Sequence, residues 1–100
     1  MSTLFTINSS WYERAWLYEQ LGFASAGDSI LLIEDGVLAL QSSVALASFM
    51  AKCKAAQIKV YVLFDDLEQR GIDSKYPSIE TVDYKGLVNL VVEHTKQVAW

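Results

Sequence analysis

The sequence predicts an α/β fold, a small three-layer α/β/α sandwich on a mainly parallel central sheet of about five strands. Three observations predict it. Two unbroken apolar runs, Ile30-Leu31-Leu32-Ile33 and Val60-Tyr61-Val62-Leu63, suit strands buried on both faces, as a parallel sheet requires. Segments of helical periodicity alternate with such β-prone runs along the chain. The length of 100 residues, with no repeat, charge block or low-complexity stretch, suits one domain over 1–100.

Thr3 to Ile7 reads as the first strand, and Asn8, Ser9 and Ser10 supply turn and N-cap chemistry for a helix starting near Trp11. In that helix Leu17, Leu21 and Ala24 share one face, Gly22 weakens the interior, and Gly27 ends it. Ser29 to Ile33 is the second strand and a central one. Glu34, Asp35 and Gly36 then form a turn in which the glycine is expected at positive φ. Val37 to Lys54 carries Val44, Ala47 and Ala51 at helical spacing, with Gln41, Ser42 and Ser43 as a break near its start. Lys59 to Phe64 is the other central strand. Asp65 and Asp66 are expected to cap a short helix through Arg70, which Gly71 ends. Pro77 opens a run from Ser78 to Val82, Tyr84 to His94 is helical, and Gln97 to Trp100 adds a last strand. In a parallel sheet, sites collect beyond the carboxyl ends of the strands, here near Asn8, Glu34 to Gly36, Phe64 to Asp66, and Asp83.

Composition narrows the function. A net charge of −4 opposes direct nucleic-acid binding, which draws on clustered Lys and Arg. The start, MSTLFTINSS, has neither a basic n-region nor an apolar stretch fit for a signal peptide or membrane span, and a cytoplasmic setting is expected. A single cysteine forms no internal disulfide, and neither C-x-x-C nor a Cys/His cluster offers metal ligands. The hydrophobic fraction of 52% is high for so small a domain and implies that some apolar surface meets a partner. Trp11, Trp16 and Trp100 suit such an interface as well as they suit a core.

Cys53 stands between Lys52 and Lys54, whose ammonium groups would favour a thiolate. It also continues the helical stripe Leu46, Phe49, Met50, which favours an inert, buried thiol at the helix end remote from the strand termini. Glu34 with Asp35, and Asp65 with Asp66, read as turn and cap residues before they read as acid/base or metal pairs. His94, the only histidine, reads as a helix C-terminal cation or a surface residue. Asn8, Ser9 and Ser10 lack the glycines of a phosphate loop and the acidic pair of a receiver domain. No residue is assigned a catalytic, cofactor-binding or metal-binding role.

Several stretches together resemble the TusB/DsrH family of the DsrE/DsrF/DsrH-like superfamily, with the TusB branch the nearer. They are TLFTINSS (Thr3 to Ser10), LLIEDGVLA (Leu31 to Ala39), KVYVLFDDLEQRGI (Lys59 to Ile72), DYKGLVNLVVEH (Asp83 to His94) and QVAW (Gln97 to Trp100). The closing Ala99-Trp100 and the pattern Asp66-Leu67, Arg70-Gly71 are the most telling. The resemblance implies a cytoplasmic, non-catalytic subunit of a heterohexamer with TusC-like and TusD-like chains, which relays persulfide sulfur from a TusA-like donor to a TusE-like acceptor. It implies a role in 2-thiolation of the tRNA wobble uridine, or, for a DsrEFH-type complex, in sulfur oxidation. The principal relay cysteine then belongs to the TusD/DsrE-type partner. DsrH-like members add a cysteine in the first helix, where this chain aligns Gln20, and an amide cannot take part in thiolate attack on sulfur. The rival expectation is a sulfurtransferase carrying persulfide on Cys53, as a homo-oligomer.

Overall fold

The computed structural model describes residues 2–9, 26–41, 43–72 and 78–99, with the backbone alone for 43–45. The strands are β1 (Thr3–Ile7), β2 (Ser29–Leu32), β3 (Lys59–Leu63), β4 (Glu80–Val82) and β5 (Lys96–Ala99), in the order β4-β3-β2-β1-β5. Every pairing is parallel: Ile7 lies beside Leu32, Leu32 beside Val62, Leu63 beside Val82, and Thr3 beside Lys96. β2 is the middle strand and all its residues are buried, which is why its sequence is apolar without alternation.

The first four strands step across the sheet in one direction, and β5 returns to the far side of β1. Right-handed crossovers put the described residues that follow β2 and β3 on one face and the return from β4 to β5 on the other. The first face accordingly carries a 3₁₀ segment, η1 (Glu34–Gln41), then helix α1 (Ser43–Ala55) and helix α2 (Phe64–Gln69). Their Val37, Ala39, Leu46, Phe49, Met50, Cys53 and Leu67 close over Phe5, Ile7, Ile30, Leu32, Val60 and Val62 in the main core. The second face carries helix α3 (Tyr84–Glu93), whose Leu90 packs on Leu4 and Leu31 with Tyr61 and Leu87 at the margin. This is the three-layer sandwich expected.

Several local expectations change. The stretch from Val37 to Lys54 is two elements, since η1 runs to Gln41 and the α-helix starts at Ser43. Its core face is Leu46, Phe49, Met50 and Cys53, whereas Ala47 and Ala51 are exposed. The last strand begins a residue early, at Lys96, and within Ser78 to Val82 only Glu80–Val82 pairs. The helix expected from Trp11, together with Gln20, Pro77 and all three tryptophans, lies outside the described residues.

Two helix ends show how the backbone closes. After α2, Gly71 has φ 64, its N–H donates to the Glu68 carbonyl, and the Ile72 N–H donates to the Leu67 carbonyl. That Schellman arrangement is why glycine stops the helix there. The end of α1 repeats it: Gln57 donates to Lys54 and Ile58 to Cys53, but Gln57 holds φ 60 with a side chain attached. Left-handed backbone costs a non-glycine residue roughly 1 kcal/mol. Gln57→Gly is therefore expected to raise stability by up to about 1 kcal/mol, read as a higher melting temperature in a thermal scan. No change, or a fall, would mean that Gln57 makes a compensating contact.

Candidate functional site

The carboxyl edge of the sheet gathers the segments that follow β1, β2, β3 and β4, and the structure joins the middle two tightly. Asp66 is buried in the first turn of α2, and its Oδ2 accepts the Glu34 N–H at 2.6 Å. Glu34 stands at φ 49, so this carboxylate holds a non-glycine residue in a conformation it would otherwise leave. The Arg70 guanidinium, one turn later, donates from Nε (3.2 Å) and Nη2 (3.0 Å) to Asp35 Oδ1. Its Nη1 donates to the Asp66 carbonyl at 3.3 Å and lies 3.8 Å from the Asp66 carboxylate. One cation thus bridges two carboxylates on neighbouring connections.

Two expectations are corrected here. Asp65 and Asp66 do not cap α2, because its N-cap is Leu63 and no side chain caps it; Asp66 turns instead to the neighbouring loop. The left-handed residue of the Glu34-Asp35-Gly36 turn is Glu34 rather than Gly36. Gly36 is needed for space, since a Cβ there would run into the Ile7 carbonyl at the end of β1. The Ile33 N–H also donates to that carbonyl, and the Gly36 N–H to the Ile33 carbonyl. The turn is fastened to β1 and α2 together.

Of the other residues at this edge, Asp83 caps α3 by accepting the Gly86 N–H at 2.8 Å, and the Ser9 hydroxyl donates to Asn8 at 3.3 Å. Phe64 and Tyr84, the first residues of α2 and α3, are 46% and 57% exposed. Their strands are neighbours through Leu63 and Val82, so two aromatic surfaces flank the edge. Phe64 was hidden in the sequence because it extends an apolar strand; the Asp65-Asp66 pair after it is the signal that the strand has already ended.

Cys53 lies far from this edge, fully buried in the main core among Leu46, Phe49 and Met50, as its place on the apolar stripe predicts. Burial pushes its thiol up to about 12, while Lys52 and Lys54 are exposed and do not offset it. His94 stands at the carboxyl end of α3, as expected, but both ring nitrogens are engaged rather than free at the surface. Its Nδ1 meets the Leu90 carbonyl at 2.6 Å and its Nε2 meets the Ser29 hydroxyl at 2.9 Å. A carbonyl only accepts, so Nδ1 carries the proton and, in the neutral ring, the Ser29 hydroxyl donates to Nε2. That contact ties the end of α3 to the start of β2.

Two cavities lined by described residues lie toward the other end of the sheet. One of about 290 Å³ is lined by Asp28, Ser29, Lys59, Tyr61 and His94 near the amino ends of the strands. Another of about 550 Å³ lies between α1 and the start of β3, with Met50, Ala51 and Ile58 in its wall and Lys54, Lys59 and Glu80 around it. The Tyr61 hydroxyl is held above its ordinary value by burial, and further by the carboxylates of Glu80 and Glu93. Among the described residues, no three of His, Cys, Asp and Glu converge as metal ligands. No single helix among them is long and apolar enough to cross a membrane.

A five-stranded parallel sheet covered on both faces, with its carboxyl edge braced by two carboxylates and one guanidinium, defines a small α/β protein of the three-layer sandwich class. Residues 9–97 match the family described as DsrH like protein. The chain belongs to that family. It is 41% identical over 75 residues to Protein TusB of Photorhabdus laumondii, covering 74% of this chain and 76% of the relative. It is 40% identical over 81 residues to Protein TusB of Escherichia fergusonii, covering 80% and 82%. Among solved structures, protein Tm0979 of Thermotoga maritima matches with a TM-score of 0.65 at 22% identity, over 91% of this chain and 92% of that one. The ychN protein of E. coli matches with a TM-score of 0.67 at 13% identity over the whole of both. These two likenesses speak to the fold alone.

Proposed function

We propose that the chain is a non-catalytic subunit of a TusBCD-like sulfur relay complex in the cytoplasm, supporting persulfide transfer toward 2-thiolation of the tRNA wobble uridine. Its likeness to proteins called TusB supports the relay role. The observation that carries the division of labour is Cys53: the chain's one thiol is sealed in the core and disfavours the thiolate on which sulfur transfer depends. In this reading a TusD-like partner carries the sulfur, a TusC-like chain completes the assembly, and this subunit offers a rigid edge and exposed aromatic residues. TusA-like donor and TusE-like acceptor proteins then dock on the assembled complex rather than on this chain alone.

Co-expression with TusC-like and TusD-like chains, followed by sizing, tests the proposal. A stable mixed complex is expected, with tRNA 2-thiolation unchanged by Cys53→Ala. A chain that elutes alone at every concentration would sink the reading. The family's DsrH description also supports a second reading, a DsrEFH-type subunit serving sulfur oxidation. Assembly with DsrE-like and DsrF-like chains in preference to the Tus-like ones would favour it. The sulfurtransferase reading requires added sulfur on Cys53 after incubation with a cysteine desulfurase, a mass shift that burial is expected to prevent.

A further inference from the structure

The contact between Ser29 and His94 has the polarity of a nucleophile with its base, and it opens on a cavity. β4 ends at the carboxyl edge of the sheet and β5 starts again at the amino edge, so the close of α3 delivers His94 to the amino ends of β2 and β3. There the Leu90 carbonyl accepts twice from His94, from its backbone N–H at 3.2 Å and from Nδ1 at 2.6 Å. These two bonds fix the ring and put its proton on Nδ1. Nε2 keeps its lone pair, 2.9 Å from the Ser29 oxygen. Ser29 is the one polar residue of β2, and giving its proton to Nε2 leaves the oxygen's own lone pairs unspent. An activated serine needs these three parts: a nucleophile, a base within hydrogen-bond reach, and a third group that orients the base.

The surroundings decide which substrate suits the pair. Ser29 and His94 line the cavity of about 290 Å³ together with Lys59 and Tyr61. Lys59 is the register partner of Ser29 on the neighbouring strand, and Tyr61 follows two residues later on the same face. An ammonium, and a phenol that burial and two carboxylates keep protonated, are donors suited to negative charge developing on an oxygen. Asp28 and Glu93 line the same cavity and repel an anionic substrate. The small volume admits a short acyl group.

We propose that Ser29 and His94 form a catalytic dyad that hydrolyses short, uncharged acyl esters. Ser29 Oγ attacks the acyl carbon while its proton passes to Nε2. The resulting oxyanion is met by Lys59 and Tyr61. It collapses by breaking the bond to the leaving oxygen, which takes the proton back from Nε2 and departs as the alcohol. Water attacks the Ser29 ester by the same path, releasing the acid and restoring the hydroxyl. This activity lies outside sulfur transfer and does not rest on the relay reading.

A fluorophosphonate probe and p-nitrophenyl acetate, applied to the purified full chain, test the dyad. The folded chain should gain one phosphonyl group, placed on Ser29 by peptide mass mapping, and should lose that labelling in urea, where the hydroxyl has no base beside it. Hydrolysis of p-nitrophenyl acetate should fall at least about a hundredfold in Ser29→Ala and in His94→Gln, each checked for folding by circular dichroism. The labelling needs no variant, so it decides the matter even where a substitution unfolds the chain. The proposal is overturned by a folded chain unlabelled at Ser29, by labelling as fast in urea, or by a folded Ser29→Ala chain that hydrolyses the ester at the unchanged rate. A Ser29→Ala chain that melts earlier, beside an unmutated chain that never labels, would reduce the contact to a tie between α3 and β2 and also overturns it. The relay reading is judged by mixed assembly and survives all of these results.

Discussion

Asp66→Ala is expected to destabilise the chain by about 2–4 kcal/mol, more than the loss of any other charged side chain in the carboxyl-edge brace. The loss has two parts. The Glu34 N–H gives up a 2.6 Å bond to a buried carboxylate while Glu34 still has to hold φ 49, and Arg70 loses the farther but more buried of its two anions, 3.8 Å away. A charge-assisted bond is worth about 1.5–3 kcal/mol, and the left-handed backbone it supports costs about 1–3 kcal/mol if it persists unsupported. Urea unfolding should show a lower midpoint at unchanged slope. Asp66→Asn keeps an acceptor for Glu34 without the charge and should fall between wild type and alanine. Asp35→Ala removes only the exposed pair with Arg70 and should cost less than about 1 kcal/mol. If Asp35→Ala proved the costlier of the two alanine variants, the brace would be working through Arg70 and not through the Glu34 backbone.

Cys53 should alkylate at least about a thousandfold more slowly in the folded chain than in denaturant. Only the thiolate reacts, and a rise from 9.0 to about 12 lowers its fraction near neutral pH by about three powers of ten, before access is considered. Timed iodoacetamide labelling with and without urea measures the ratio. Fast labelling of the folded chain would place the thiol at a surface. The same group couples folding to alkaline pH. Its folded value is raised, so its contribution is fully present below pH 9 and is lost as pH climbs toward 12, with Tyr61 acting in the same direction. Stability should therefore fall across that window, and Cys53→Ala should flatten the fall while costing some packing at neutral pH.

The fold was legible because its signals are redundant. β2 and β3 announce themselves as unbroken apolar runs, and α1's buried face, Leu46, Phe49, Met50 and Cys53, repeats at helical spacing. Termination of α2 at Gly71 also follows from local chemistry. The carboxyl edge was less legible. Asp66 looks like a cap in sequence, but its partner is Glu34, 32 residues earlier, and only the β2–β3 register brings them together. His94 misleads likewise, since Ser29 lies 65 residues away. Gly36 carried a correct warning with the wrong cause: the alignment of β1 with β2 leaves no room for a side chain beside Ile7.

The strand order has a consequence for how the chain acquires its structure. β1 is flanked by β2 and β5, and the contacts that seat β5, Ser2 with Thr95, span 93 residues. Until that distant segment arrives, one side of β1 is an open row of amides and carbonyls beside Leu4 and Phe5, able to template pairing with another molecule. Closing so long a loop is slow, because its entropy is lost before the pairing returns anything. During synthesis from the amino terminus, the hazard of misassembly is therefore concentrated in the interval between completion of β4 and capture of β5.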